Sequence, residues 1–223
     1  MPLLAVSVRR SPTIESGITD GLRRVTATRI VIATGNAGKL REIDALLGPL
    51  GLSFVAQGEL GVAPGPETAD SFVGNALQKA RHAAAATGLP VIADDSGIVV
   101  PALDGRPGIY SARYAGVGAS DQANLDKLLA EMEGVSQRAA YFHCAAIFIR
   151  DADDDDPVVA EASWHGEITE AERGTGGFGY DPVFWLPEHG CTSAELPAEE
   201  KNRLSHRGQA FRELARRLSD VYA

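Results

Sequence analysis

The sequence predicts an α/β domain with a mixed sheet, arranged as two lobes around a cleft. Three observations predict it. From Arg29 onward, short apolar runs alternate with segments of helical period. The second half is richer in β pattern, with aromatic and β-branched residues in long runs. And 223 residues with 44% hydrophobic content suffice for one sizeable core or two lobes sharing one sheet.

The elements follow in order. "RIVIA" reads as a buried strand. Residues 39–50 carry Leu40, Ile43, Leu47 and Leu50 at helical spacing, and "LSFVAQ" is a second strand. Residues 68–87 form a long helix with Phe72, Ala76, Leu77, Ala80 and Ala84 on one stripe, capped by Thr68, Asp70 or Ser71. "PVIADDSGIVVPAL" reads as strand, polar turn, strand. Residues 120–132 are helical again, capped by Ser120, with Leu125, Leu128, Leu129 and Met132 inward.

"AAYFHCAAIFIR" is a long β run, ended by the acidic turn "DADDDD", which reads as a solvated loop. "PVVAEASWHGEIT" returns as strand, and "GTGGFGYDPVFWLP" is a glycine-rich loop running into another. A last helix from about Gly208 to Tyr222 buries Phe211, Leu214, Leu218 and Val221. Residues 1–28 lack a sustained apolar period and read as a disordered N-terminal extension. Residues 29–223 read as the single domain.

Composition excludes several classes. A net charge of −9 argues against a surface that holds a nucleic-acid polymer, though not against a small anion met by a local cation cluster. No stretch approaches the ~20 apolar residues that span a bilayer. Leu3 to Val8 is too short for a signal core, and its arginines follow it. Cys144 and Cys191 make neither a disulfide framework nor a metal motif, which reads as a reducing, cytoplasmic setting.

Three segments carry chemistry. The loop Thr34, Gly35, Asn36, Ala37, Gly38 and Lys39 joins the first strand to a helix. It is not a Walker A loop: its glycines are too close together and Leu40 stands where the Mg²⁺-binding hydroxyl would be. It still offers a helix N-terminus, close backbone approach and a lysine, all suited to a phosphate. An ordinary turn with Asn36 as cap fits equally well.

In "ADDSG", strand alternation aims Asp94 and Asp95 to opposite sides, so one at most faces a cleft as base or ligand while the other orients backbone. A polar β-turn is the alternative. Finally, Lys39, Lys79, Arg113, Lys201, His206 and Arg207 are scattered cations. Asn75 and Lys79 share a helix face at i, i+4, and Glu67 precedes that helix. Phe178 offers a ring for a base, and Asp181 an acceptor for its edge.

Together, "ATGNAGKLRE", "GNALQKARHAA", "IADDSG", "PGIYSARYAG", "TGGFGYDP" and "EEKNRLSHRGQA" resemble the inosine triphosphate pyrophosphatase family, also called non-canonical purine nucleoside triphosphatases. The resemblance runs from about residue 29 to the C-terminus. It implies a long, curved mixed sheet flanked by helices, a homodimer, and Mg²⁺ as cofactor. It implies hydrolysis of ITP, dITP or XTP to the monophosphate and pyrophosphate.

The resemblance assigns Thr34, Gly35, Asn36, Ala37, Gly38 and Lys39 to the triphosphate. It makes Asp95 the catalytic carboxylate and a metal ligand, with Ser96 beside it and Glu67 as the second metal acid, although "GPET" departs from the usual doubled acid. Phe178, Gly179, Tyr180 and Asp181 would hold the purine, and Lys201, His206 and Arg207 the base and sugar side. Asn75, Lys79 and Arg113 are further candidates on the substrate. Donors from His206, Arg207 or backbone to a 6-oxo group would reject adenine. Two other readings stay open: a nucleotide sensor that does not cut, and a pyrophosphatase for modified pyrimidine nucleotides.

Overall fold

The computed structural model describes residues 29–48 and 52–222. The expectations for residues 1–28, for Leu50 and for the side chain of Val221 lie outside the described residues.

A seven-stranded mixed sheet runs in the order β2-β1-β3-β4-β5-β6-β7. The strands are β1 (Arg29–Ile32), β2 (Ser53–Ala56), β3 (Val91–Val99), β4 (Ala139–Ile149), β5 (Val158–Ile168), β6 (Phe184–Leu186) and β7 (Cys191–Thr192). β1 pairs in parallel with β2 and β3, and every later pairing is antiparallel. The helices are α1 (Ala37–Leu47), α2 (Phe72–Thr87), α3 (Asp121–Glu131), α4 (Ala198–Leu204) and α5 (His206–Tyr222).

Pleat alternation divides the core. Cys144, Ala146 and Phe148 of β4 face α1 and α5, where Ile43, Leu47, Phe211 and Leu214 meet them. Ala145, by the same alternation, and the buried Ile147 and Ile149 point to the other face, where Ile147 and Ile149 meet the alanine stripe of α2. Alanine at 76, 80, 83 and 84 lets that helix lie close to the sheet. A third cluster, built on Leu125, Leu128, Phe142, Trp164 and Phe184, forms the second lobe under α3.

Three sequence expectations need correction. Residues 91–99 form one unbroken strand, not strand, turn, strand. Asp94 pairs across to Ala146 and Asp95 to Ala145, and cations meet both carboxylates, so burial does not break the ladder there. Gly97 does not make a turn either. A Cβ there would collide with the Gly108 carbonyl and Ser111, so the glycine serves close packing of the 108–113 turn on β3.

The last helix begins at His206 and is preceded by α4, because Ser205 supplies a cap: its Oγ accepts from Gly208 N–H at 3.1 Å. In the acidic loop, Asp154 is buried rather than solvated, because Arg150 and the 150 and 156 amides bond it.

Candidate active site

A cleft opens between the lobes. One wall carries Asn36, Lys39, Glu67, Asp95 and Ser96. The opposite wall carries Phe178, Gly179, Tyr180, Asp181, Lys201, His206 and Arg207. Segments from five parts of the chain thus meet. Thr34, Gly35, Ala37, Gly38, Asn75, Lys79 and Arg113 do not line the cleft.

α1 starts where its cap dictates. Asn36 Oδ1 accepts from Gly38 N–H at 2.8 Å and Lys39 N–H at 3.0 Å, while Thr34 Oγ1 accepts from Asn36 N–H at 3.2 Å. These two helix amides are therefore engaged by the cap, and the Lys39 ammonium, paired with Asp94 at 3.0 Å, is the loop's one full positive charge. Gly35 and Ala37 are exposed. Gly38 abuts the other lobe: a Cβ there would lie 2.8 Å from Phe178 Cδ1.

The strand alternation expected for the two aspartates holds. Asp95 faces α2: Lys79 Nζ lies 3.1 Å from Oδ1, and Asn75 Nδ2 donates to Oδ2 at 3.2 Å. Asn75 and Lys79 share the helix face that the i, i+4 spacing predicts. Lys79 also reaches Glu67 Oε1 at 2.8 Å, and Arg113 grips Glu67 Oε2 at 2.9 Å and its carbonyl at 3.2 Å.

Asp94 points the other way, to Lys39 at 3.0 Å and Arg207 Nε at 3.4 Å. It pairs with cations rather than orienting backbone, which corrects the sequence reading. Its Oδ1 is buried without a partner among the described residues.

These environments push the two neighbours apart. Burial raises the Asp95 pKa, and Lys79 and Lys39 only partly offset it, so the carboxyl stays above its usual range. Burial would raise Asp94 too, but Lys39 and Arg207 beside it hold it well below. Burial and the cations Arg207, Lys201 and Lys39 drive the His206 imidazole neutral.

On the opposite wall, Asp181 looks inward. Oδ2 accepts from Phe178 N–H at 2.7 Å and Lys201 Nζ at 2.6 Å, and Oδ1 from Ser193 at 2.8 Å. Its carboxylate shapes the loop, with both oxygens accepting from protein donors. Lys201 Nζ sits 4.9 Å from the Phe178 ring centre and the Arg207 guanidinium 5.7 Å. Arg207 also donates to Ser96 at 2.8 Å and to Glu42. His206 stacks on Phe142, with ring centres 4.8 Å apart, and its Nδ1 has no partner among the described residues.

A family model for the Ham1 family matches residues 30–217. This chain belongs to the Ham1 family. Curated relatives agree with that membership. A dITP/XTP pyrophosphatase of Pectobacterium atrosepticum is 58% identical over 186 residues, covering 82% of this chain and 94% of the relative. One of Methylococcus capsulatus is 56% identical over 192 residues, covering 85% and 96%. Among solved structures, a HAM1 protein from Coxiella burnetii superposes with a TM-score of 0.81 at 45% identity, covering 86% of this chain and 98% of that one. The mixed-sheet fold expected for this Ham1 member is thus the observed one.

Sequence reasoning missed Glu42, whose carboxylate bridges Lys201 at 2.9 Å and Arg207. The signal was present: Glu42 stands one turn after Lys39 on α1. It also missed Asp121, which accepts from Gly179 N–H at 3.0 Å, and Ser111, whose carbonyl accepts from the Tyr180 hydroxyl. In sum, five cations (Lys39, Lys79, Arg113, Lys201, Arg207) are matched by five carboxylates (Glu42, Glu67, Asp94, Asp95, Asp181).

Proposed function

We infer that this chain hydrolyses non-canonical purine nucleoside triphosphates, ITP, dITP and XTP, to the monophosphate and pyrophosphate. It is a nucleoside triphosphate pyrophosphatase. The observation that carries the reading is one cleft with an acid–lysine cluster on one wall and an aromatic, cation-flanked loop on the other. Relatives above 50% identity are named for this reaction on dITP and XTP.

A nucleotide pyrophosphatase of this kind works with a divalent metal, for which we propose Mg²⁺. Among the described residues no three His, Cys, Asp or Glu side chains converge. Glu67 and Asp95 nevertheless turn two hard oxygens toward one point, and Mg²⁺ needs only one or two carboxylates when water and phosphate supply the rest. The residues fit. Bound there, Mg²⁺ would neutralise charge developing on the pyrophosphate leaving group.

The chain's own groups do the rest. Lys39 offsets triphosphate charge from the wall of the cleft, and Lys79 from behind Glu67 and Asp95. Asp95 orients a water toward the α-phosphorus and takes its proton. A carboxyl held above its usual range by burial is a better base than a solvated aspartate, which supports that role. Phe178 stacks on the purine.

For selectivity, the sequence expectation that Arg207 donates to the 6-oxo group meets an obstacle: its donors are engaged by Asp94, Glu42 and Ser96. His206 is the better candidate, because its neutral ring lines the cleft and donates through whichever ring nitrogen carries the proton. Adenine would leave that donor unmet, an effect that reaches about 10⁴-fold at sites built on hydrogen bonds.

Among the described residues no helix is long and apolar enough to cross a membrane. We place the protein in the cytoplasm, which the two free thiols support. We also propose a homodimer, supported by the exposed Tyr110 and Val117.

The test is hydrolysis of ITP in ¹⁸O-labelled water, read by mass spectrometry, beside a panel of XTP, dITP, dUTP and methylated pyrimidine triphosphates. Label should enter inosine monophosphate and stay out of pyrophosphate. Label in pyrophosphate or orthophosphate would place attack at the β- or γ-phosphorus and overturn the role of Asp95. A preference for the pyrimidines would overturn the substrate class.

A further inference from the structure

Lys79 sits where two carboxylates meet. Its Nζ lies 2.8 Å from Glu67 Oε1 and 3.1 Å from Asp95 Oδ1, with only 10% of the side chain exposed. Each carboxylate is braced from behind. Asn75 holds Asp95 Oδ2, and Arg113 holds both Glu67 Oε2 and the Glu67 carbonyl. The Arg113 grip is two-pronged, one prong on side chain and one on main chain, which fixes the Glu67 rotamer against its own backbone. With their far sides fixed, Oε1 and Oδ1 turn toward a single point. A cation already stands there.

We propose that Lys79 is a resident counter-ion: it keeps a divalent cation off Glu67 and Asp95 until a triphosphate draws the ammonium away. This rests on the reading of Glu67 and Asp95 as the metal acids. The reasoning is electrostatic. An ammonium and a divalent ion compete for the same two oxygens, and their mutual repulsion is strong where solvent is scarce. α2 anchors the lysine stem beside Asn75, so the ammonium cannot simply leave for bulk water without leaving two braced carboxylates facing each other. A triphosphate entering beside Lys39 offers it a more highly charged partner within reach of a flexible four-carbon stem. Metal and nucleotide therefore enter together, and the free enzyme stays largely metal-free.

The experiment is a titration of nucleotide-free protein with Mn²⁺, with free ion followed by electron paramagnetic resonance. Wild type should bind with Kd weaker than about 0.1 mM, and Lys79→Gln at least about tenfold more tightly. Lys79→Arg, which keeps the charge, should stay weak. Thermal melting gives the second readout. Lys79→Gln should melt below wild type without metal, and Mn²⁺ should raise its melting temperature by more than it raises that of wild type.

Wild-type binding tighter than about 0.1 mM overturns the proposal, even if Lys79→Gln does not fold. So does an equal Kd, or an equal Mn²⁺ shift, in a folded Lys79→Gln. Glu67→Gln in the Lys79→Gln background separates the two levels. Loss of the gain supports the site, whereas retention of it removes Glu67 as a metal acid. No nucleotide is present, so failure to hydrolyse ITP is a separate result that bears on the function alone.

Discussion

Tyr180 donates its hydroxyl to the carbonyl of Ser111 at 2.8 Å, which ties the loop that carries Phe178 to the turn that carries Arg113. Arg113 in turn holds Glu67, so the two walls of the cleft share one stretch of backbone. Ser111 also locks that turn to β3, accepting from Ile98 N–H at 2.9 Å.

Tyr180→Phe removes the link with little change of shape. It leaves a buried carbonyl unpaired, which costs about 1–3 kcal/mol. For a domain of this size that is a fall in Tm of about 2–4 °C per kcal/mol. The value of kcat/KM on ITP should fall as well, because Arg113 loses its bracing. Differential scanning calorimetry and steady-state kinetics check both, and an unchanged pair of values would show the bond to be idle.

Asp95→Asn keeps the size of the side chain and an acceptor for Lys79 but loses the charge. Turnover should drop by far more than tenfold, a barrier increase above about 1.4 kcal/mol. Nucleotide affinity should stay near wild type, since the bracing from Asn75 and α2 is not a contact to substrate. Retention of more than about a tenth of kcat in rapid-quench assays would remove Asp95 as the base.

His206 predicts a pH dependence of stability. In the fold, burial and the neighbouring Arg207 and Lys201 hold its pKa well below 6.5, whereas the unfolded chain protonates near that ordinary value. The contribution is therefore full above pH 6.5 and shrinks as pH falls toward the folded pKa, at about 1.4 kcal/mol per pH unit for one proton. Urea unfolding at pH 7, 6 and 5, for wild type and His206→Phe, measures it. Phenylalanine keeps the stack on Phe142, so the difference in slope isolates the proton. Parallel pH curves would contradict the assignment. Asp94 acts in a separate window, with a contribution that is full above its ordinary 3.8 and lost below it.

Much of the fold was legible because periodicity reports burial directly. The α2 stripe buries Ala76, Ala80 and Ala84, and the apolar second half of the long β4 run is buried throughout. The continuity of β3 was not legible. "DDSG" carries every local turn signal, and only partners far away in sequence, Lys39, Lys79 and Arg207, make an acidic strand interior tolerable.

The site divides in the same way. Asn75 and Lys79 were found by spacing on one helix. Asp181 was placed in the right loop, but its bonds to Ser193 and Lys201 were not legible, because those partners lie 12 and 20 residues on. Glu42 was overlooked because a glutamate on an amphipathic helix ordinarily meets solvent, and nothing local says that Lys201 and Arg207 arrive over it.

The matching of five cations by five carboxylates also bears on the speed of encounter. A substrate still outside the cleft meets a site whose cations are offset by carboxylates, on a molecule of net charge −9. At long range a free triphosphate is therefore repelled rather than steered. Added salt shortens the reach of that repulsion, with a Debye length of about 10 Å at 0.1 M. Stopped-flow association of metal-free ITP should then quicken as salt is added, the reverse of the behaviour of enzymes that present a bare basic funnel. A magnesium-bound triphosphate carries about half the charge and is hindered less. Diffusion itself thus sorts the two forms before either touches the protein.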